Sequence, residues 1–306
     1  MNGQAAPAWD DVRLFLAIAE QGSIGKAAKA LGMAQPTVSR RLAEIEASYG
    51  FPLFRRTPSG VSLTSRAERL VAPAKRMAEW AAEVARAIDD PNAGPRGVVR
   101  ITAPPGVAMD FLAPFAGWLR QKRPGIALDV LSTVGVLDLS RGEADLALRA
   151  VSTTRGDLVR VAVLEQDVAF FASADYAARL PKGYGYADVD FVGWAPPYEM
   201  LPPNPQLAKL VPGFAPVFTS DSFLVQQAAA EAGAGAIPLP RTGHRFSRPS
   251  TMVELSLDLG PYAKTSTMLV AARSALEIPR VRVVADLLRK EFAHAQALVK
   301  RPRGKV

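Results

Sequence analysis

The stretch that most constrains the fold runs from residue 23 to 50, SIGKAAKALGMAQPTVSRRLAEIEASYG. Ser23 is a helix N-cap residue, and Ala27, Ala28 and Leu31 follow it at helical spacing. Gly32 then ends that short helix, as a C-terminal glycine does. Pro36 suits the first turn of a new helix, where its missing N–H is no loss. Val38, Leu42, Ile45 and Tyr49 recur at steps of four, three and four, which predicts one buried stripe along this helix. Thr37, Arg40, Arg41 and Glu44 then lie mostly on the opposite face. Just upstream, Val12, Phe15, Leu16 and Ala19 mark an amphipathic helix over residues 9 to 20.

Small residues that let two helices approach, a glycine turn and a second helix with a basic outer face form a helix-turn-helix pattern. Its second helix offers its N-terminal residues to the DNA major groove. Gln35 carries both a donor and an acceptor for an adenine edge, and Arg40 or Arg41 can fork onto guanine or phosphate. FPLFRRTPSGVSLT follows, with Thr57-Pro58-Ser59-Gly60 as a turn between two short strands, so a wing is expected. The candidate DNA contacts are Ser23, Lys26, Gln35, Pro36, Thr37, Ser39, Arg40 and Arg41, with Arg55, Arg56 and Thr57 in the wing. The net charge is +8, and the basic excess between Lys26 and Arg56 falls on this stretch. A generic three-helix bundle with a basic face is the alternative. A second basic run, KRPRGKV at residues 300–306, reads as a solvated end.

These elements together resemble the winged helix-turn-helix of LysR-type transcriptional regulators. The resemblance rests on the F-x-A-x-A-E-x-G-S opening, the A-A-x-x-L-x-x-x-Q-P-T-V-S-R-R core and the L-F-x-R exit, and the later chain agrees with it. It implies double-stranded DNA and a second copy of the chain as partners, in a dimer that pairs into a tetramer. It also implies DNA bending, contact with RNA polymerase, control of a nearby operon and a bacterial cytoplasm. Two positions depart from the family pattern. Leu63-Thr64 is followed by Ser65-Arg66-Ala67-Glu68 where the family often has Glu-Ala-Gly, and Gly25 stands where a larger side chain is common.

From Leu70 the apolar residues continue through Ala74, Met77, Ala81, Val84 and Ile88, a heptad seam for dimerisation. A helix lying on its own domain is the alternative. Pro73 falls inside this pattern and predicts a kink or a lost hydrogen bond. DDPNAGPRG, residues 89 to 97, reads as a hinge. The expected order is a winged helix-turn-helix over 1–63, a dimerisation helix over 64–89, a hinge over 90–97 and an effector-binding domain over 98–306.

After the hinge the period changes. VVRIT and IALDV read as strands flanking a helix with Met109, Leu112, Phe115, Ala116 and Leu119 on one face, a βαβ unit. ADLALRA gives another strand, and VAVLEQDVAFFAS leads into a second lobe with strand candidates FVGW, PVFTS and GAIPL and a helix over 221–233. TSTMLVAAR and a final helix return to the first lobe. The fold class is therefore α/β in two lobes of periplasmic-binding-protein type, lobe I at about 98–164 and 268–300 and lobe II at about 165–267. GVVRITAPPG and GAGAIPLP resemble landmark stretches of the family's effector-binding domain.

In such folds a ligand sits at strand C-termini and helix N-termini. The effector candidates are Thr102, Pro104, Ser132, Thr133 and Arg149 in lobe I, and Thr219 and Ser220 in lobe II. A helix opening at Pro105 to Val107 favours an anionic effector. Ser220 and Asp221 could equally be helix caps, and Arg149 could pair with Glu143 or Asp145 instead of a ligand. Trp194 reads as packing rather than ligand stacking, and His244 as an exposed loop residue.

With no cysteine, disulfides, thiol catalysis and thiolate metal sites are excluded. His244 and His294 are the only histidines and have no ligand-like spacing, so no metal or other cofactor is expected beyond an unidentified small-molecule effector. No apolar run reaches membrane-spanning length, and the N-terminus lacks the pattern of a secretory signal. A solute-binding module with an accessory helical domain remains a second reading. An enzyme carrying a helix-turn-helix is a third, for which no nucleophile–base pair or phosphate-binding glycine pattern is found.

Overall fold

The computed structural model describes residues 7–58, 60–89, 94–150, 156–241, 243–247 and 250–299. Ser59 of the expected turn, residues 90–93 of the hinge and the basic run at 300–306 lie outside the described residues. Two compact units emerge, residues 1–94 with 138–143, and residues 95–137 with 144–306.

The first unit opens with α1 (Trp9–Gln21), α2 (Ile24–Leu31) and α3 (Gln35–Tyr49). Each ends on a glycine in the left-handed conformation, Gly22, Gly32 and Gly50. Ser23 caps α2 by accepting the Lys26 N–H at 3.5 Å. Ile18, Ala27 and Val38 are fully buried, with Leu42 and Ile45 beside them in one core. The wing is an antiparallel pair, β1 (Phe54–Thr57) and β2 (Gly60–Leu63), with Arg55 opposite Ser62. Glu46 near the end of α3 anchors the approach to the wing. Its Oε1 accepts the N–H groups of Leu53 at 2.6 Å and Phe54 at 3.1 Å. The Val61 N–H donates to the Gly22 carbonyl at 2.9 Å, tying β2 to the turn between α1 and α2.

α4 (Ser65–Asp89) starts where Thr64 Oγ1 accepts the Ala67 N–H at 3.2 Å. Arg66, one of the positions that depart from the family pattern, sets its guanidinium 4.0 Å from the Phe51 ring centroid. Pro73 lies inside α4 on its exposed side without ending it.

In the second unit, β3 (Gly97–Ala103) leads into α5 (Pro105–Val107), a π-turn over Ala108–Leu112, and α6 (Ala113–Lys122). The π-turn was not expected from the pattern. Pro114 has no N–H for the Asp110 carbonyl and its ring crowds that oxygen. One wider turn, in which the Ala113 N–H reaches the Ala108 carbonyl, relieves the clash. β4 (Ile126–Ser132) and β5 (Leu146–Arg149) both run parallel to β3.

β6 (Leu158–Ser173) is one long strand that contains the whole of VAVLEQDVAFFAS and runs from the first lobe into the second. α7 (Ala174–Arg179), β7 (Val192–Trp194), α8 (Asn204–Leu210), β8 (Phe218–Ser220), α9 (Phe223–Glu231), β9 (Ile237–Pro240) and β10 (Met252–Glu254) follow. β11 (Lys264–Ala272) and α10 (Pro279–Val299) complete the order. β11 pairs antiparallel with β5 and with β6 up to Asp167, and β9 and β10 pair with β6 beyond it. One core gathers around Phe115, Leu146, Leu269 and Leu288, and another around Phe170, Phe191 and Leu207, at the two ends of β6.

The connection after β9 reaches back onto the first of these cores. Phe246 packs against it, and Arg245 forms a two-pronged pair with Glu291 while lying 4.1 Å from the Trp118 ring centroid. His244 is half-buried, not exposed as expected, with its ring edge-on to Phe111 and its Nδ1 accepting the Phe246 N–H at 3.2 Å. The apolar residues around it explain the difference.

Two outcomes are expected. Gly60 has φ +141° and an added Cβ would fall on the Gly22 carbonyl oxygen, so Gly60→Ala should destabilise the first unit by about 1–3 kcal/mol in denaturant melts. Burial pushes the His244 pKa down, against the opposing pull of Asp110 and Glu291. The unfolded chain then binds the proton more readily, so stability should fall as pH drops through about 6.5. His244→Asn should flatten thermal midpoint against pH between about 7.5 and 5.5; an unchanged slope would assign it to other groups.

Candidate nucleic-acid interface and effector cleft

Burial of Val38, Leu42 and Ile45 turns the rest of α3 outward. Gln35, Pro36, Thr37, Ser39 and Arg40 are all exposed. The Arg40 side chain is 77% exposed and its Nε lies 3.9 Å from Glu44, too far for a firm hydrogen bond, so it is available to an outside anion. Lys26 is exposed on α2, next to the capping Ser23.

Arg41 is placed differently from the expectation that it reads DNA. Its Nε and Nη2 reach Asp11 Oδ1 at 2.8 and 2.7 Å, and its Nη1 reaches Glu44 at 3.1 Å. The hydrogen bonds it donates to Glu44 and then Asp11 raise its pKa. In this conformation it is a brace between α1 and α3. Arg55 is also engaged, donating from Nε to Ser62 Oγ across the wing at 2.9 Å. Arg56 is exposed and Thr57 half-buried at the end of β1. Sequence reading missed Asp11, Glu46 and Ser62, because their roles depend on partners in other elements. The position of Glu46, where α3 gives way to FPLF, was the one available signal.

The expected dimerisation seam divides. Ala74 is buried in the unit's own core and Leu70 packs against it, with Ala67 and Ala78. Those two seam positions are occupied within the chain because α4 begins by lying on α1. Ala81 is half-buried. Met77, Val84 and Ile88 remain exposed, Val84 at 59% and Ile88 at 75%, and Trp80 joins them at helical spacing. Trp80 was missed because it stands off the strict heptad.

In the second unit, Thr102 and Ser132 sit at the C-terminal ends of neighbouring parallel strands, and Arg149 ends β5 next to them. Thr102 is buried, Ser132 exposed, and Pro104 and Thr133 half-buried. Thr133 Oγ1 accepts the Gly135 N–H at 3.0 Å. Arg149 is buried and donates to the Leu137 carbonyl, while Asp145 accepts the Arg100 N–H at 2.8 Å and Glu143 the Asp138 N–H at 2.6 Å. Burial pushes the Asp145 carboxyl up, against that hydrogen bond.

In lobe II, Thr219 and Ser220 end β8 beside Gly193 and Trp194 of β7, again at parallel C-termini. The helix cap is Ser222, not Ser220 or Asp221. Ser220 Oγ accepts the Ser222 N–H at 3.1 Å and the Ser220 carbonyl accepts the buried Gln226 amide at 2.7 Å. Trp194 is buried and donates from Nε1 to the Pro202 carbonyl at 2.8 Å. Phe223, at the start of α9, lies over Gly106 of α5 so closely that a Cβ there would stand 2.6 Å from its ring. The strand ends of the two lobes therefore meet at a Phe–Gly contact that periodicity could not reveal. Among the described residues no group of acidic, histidine or cysteine side chains could hold a metal, and no helix is long and apolar enough to cross a membrane.

Comparison with known proteins agrees with both halves. Residues 9–68 match the bacterial regulatory helix-turn-helix protein, lysR family, and residues 92–293 match the LysR substrate binding domain. A HTH-type transcriptional regulator of Xanthomonas campestris is 34% identical over 170 residues, 56% of this chain and only about half (49%) of that protein's length. The Mau operon transcriptional activator of Paracoccus denitrificans is 28% identical over 232 residues, 76% of this chain and 79% of its own. Full-length OxyR from Pseudomonas aeruginosa shares the fold at a TM-score of 0.67 and 18% identity, covering 99% of this chain and 100% of its own. An N-terminal helix-turn-helix followed by a two-lobed substrate-binding domain, each matched in its place along the sequence, makes this chain a member of the LysR family of transcriptional regulators.

Proposed function

We propose that the chain reads an imperfect palindrome in duplex DNA as a dimer and that a small molecule between the two lobes shifts the arrangement in which it does so. The observation that carries this reading is the outer face of α3, where Gln35, Thr37, Ser39 and Arg40 are exposed directly opposite a buried apolar stripe. Gln35 and Arg40 read base edges in the major groove, while Lys26, Arg56 and the chain around Ser23 engage phosphates. Arg41 and Arg55 hold the reading helix and the wing in shape, and Arg41 joins the DNA only by leaving Asp11.

Two such units need a spacer with a sticky face. Met77, Trp80, Val84 and Ile88 supply it on α4, and their exposure in a single chain supports pairing with a second copy. Dimers of this dimer and contact with RNA polymerase belong to the same reading. The effector sits at the strand ends marked by Thr102, Ser132, Thr133, Thr219 and Ser220, with Pro104 and the buried Arg149 beside them. A buried guanidinium there favours an anionic effector. The effector acts only through its different affinity for two arrangements of the protein.

The test is binding to a duplex selected from a randomised library, titrated against salt. Log affinity should fall linearly with log salt, at a slope of about −0.9 per phosphate neutralised. Arg40→Ala should weaken binding to the selected duplex by about 1–3 kcal/mol and relax its preference at one base pair. Unchanged affinity and preference would remove Arg40 from the reading face, and absence of salt-dependent binding would remove the function. For assembly, Val84→Asp should leave the thermal melt of the chain intact and weaken self-association by roughly 1–3 kcal/mol in sedimentation equilibrium. An unaltered association constant would mean that α4 pairs through another face.

A further inference from the structure

At the end of β6 farthest from lobe II, a hollow of about 480 Å³ opens between β6 and α10. That is the size of a small-molecule site. Its apolar wall is Val159 and Val161 of β6, Leu276 in the turn before α10, and the buried Ala285. Its rim carries Arg160, Arg273, Arg282 and Arg289 against two acids, Glu277 and Asp286. Two local features shape it. Across the ladder to β11, Ala162 faces Leu269 and Arg160 faces Val270, so Val161 is left without a partner. Such a bulge re-aims the side chains around it. On the other side, Arg282, Ala285, Asp286 and Arg289 fall at i, i+3, i+4 and i+7, on one face of α10.

The cations on this rim are only partly paired. Asp286 is taken by Arg289 at 2.9 Å, and Arg282 donates from Nε to the Leu276 carbonyl at 2.8 Å. Arg273 lies 3.9 Å from Asp157, beyond a firm hydrogen bond. Arg160 is exposed and makes no hydrogen bond or ion pair among the described residues. β9 and β10 join β6 only from Val168 onward, so the outer edge of β6 beside Arg160 has no strand neighbour among the described residues. Four guanidinium groups against two carboxylates leave a positive excess of two, which an anion offsets. The hydrocarbon wall then selects among anions, because only one with an apolar body gains by covering it. We propose that this hollow is a second ligand site, separate from the cleft, for a small organic acid with an apolar body. The carboxylate pairs with Arg160 and its neighbours on the rim, and the body covers Val159, Val161 and Leu276. A molecule seated there bridges β6 and α10 within lobe I, through residues that take no part in the cleft.

The experiment is calorimetric titration of the full chain with 1-naphthoate at low ionic strength. The uncharged 1-naphthylmethanol and the short acetate are the companion probes. Naphthoate should bind saturably, and each companion about tenfold more weakly or less well still. Arg160→Ala should weaken naphthoate binding by roughly three- to tenfold, and Arg160→Glu combined with Arg289→Glu by more than about tenfold. Arg160→Lys, which keeps the charge, should retain most of the affinity. Thermal melts should not change, since both arginines are exposed. Thr102→Val, in the cleft, should leave naphthoate binding as it is. Unchanged affinity in the arginine variants overturns the proposal, and a loss confined to Thr102→Val assigns the probe to the cleft instead. Equal binding of the alcohol removes the role of charge, and equal binding of acetate means an adventitious ion only; either result overturns the proposal. So does the absence of saturable naphthoate binding up to about 10 mM.

Discussion

Burial of the stripe Val38, Leu42 and Ile45 against Ile18 and Ala27 is the constraint on which the N-terminal unit depends. Full burial of a large aliphatic side chain stabilises by roughly 1.5–3 kcal/mol, so Val38 and Ile45 alone account for a sizeable part of a small unit's stability. The same burial settles which way every other residue of α3 points. Arg40 faces water because Val38 and Leu42 do not. Around that stripe, polar contacts refine the placement. Asp11 and Glu44 hold Arg41, Glu46 holds the approach to the wing, and the Gly22 carbonyl holds β2. These are contacts between elements, and their worth is positional.

The C-terminal unit depends on a different device. β6 carries both cores on one continuous strand, pairing with β11 in its first part and with β9 and β10 beyond. A strand shared in this way lets two lobes have separate interiors while their parallel strand ends converge. Phe223 on Gly106 is the contact at which the walls meet, and the connection bearing Arg245 and Phe246 returns from lobe II to the lobe I core. In the proposed reading, a ligand entering at the strand ends works against or beside these contacts and favours one arrangement of the lobes over another.

Much of this was legible in advance where the signal is local. Periodicity located α1 to α4, Ser23 and Gly32 located the ends of α2 and Pro36 the start of α3, and the change from helical to strand spacing after residue 97 marked the second unit. Reading failed where one pattern serves two partners. The six seam residues of α4 share a heptad, but Leu70 and Ala74 face the chain's own core and Val84 and Ile88 face outward. A charge whose partner lies far along the chain is not legible locally either. Arg40 and Arg41 are adjacent, chemically identical and both exposed, yet Arg41 alone is braced by Asp11, thirty positions away.

The sequence by itself determined the family, the order of the helix-turn-helix and the two-lobed domain, and which face of α3 is apolar, because each follows from the spacing of neighbouring residues. The tertiary structure alone decided which arginine is braced, where Phe223 lies and how α4 divides its face. Each of these depends on the meeting of elements whose mutual placement no local pattern encodes.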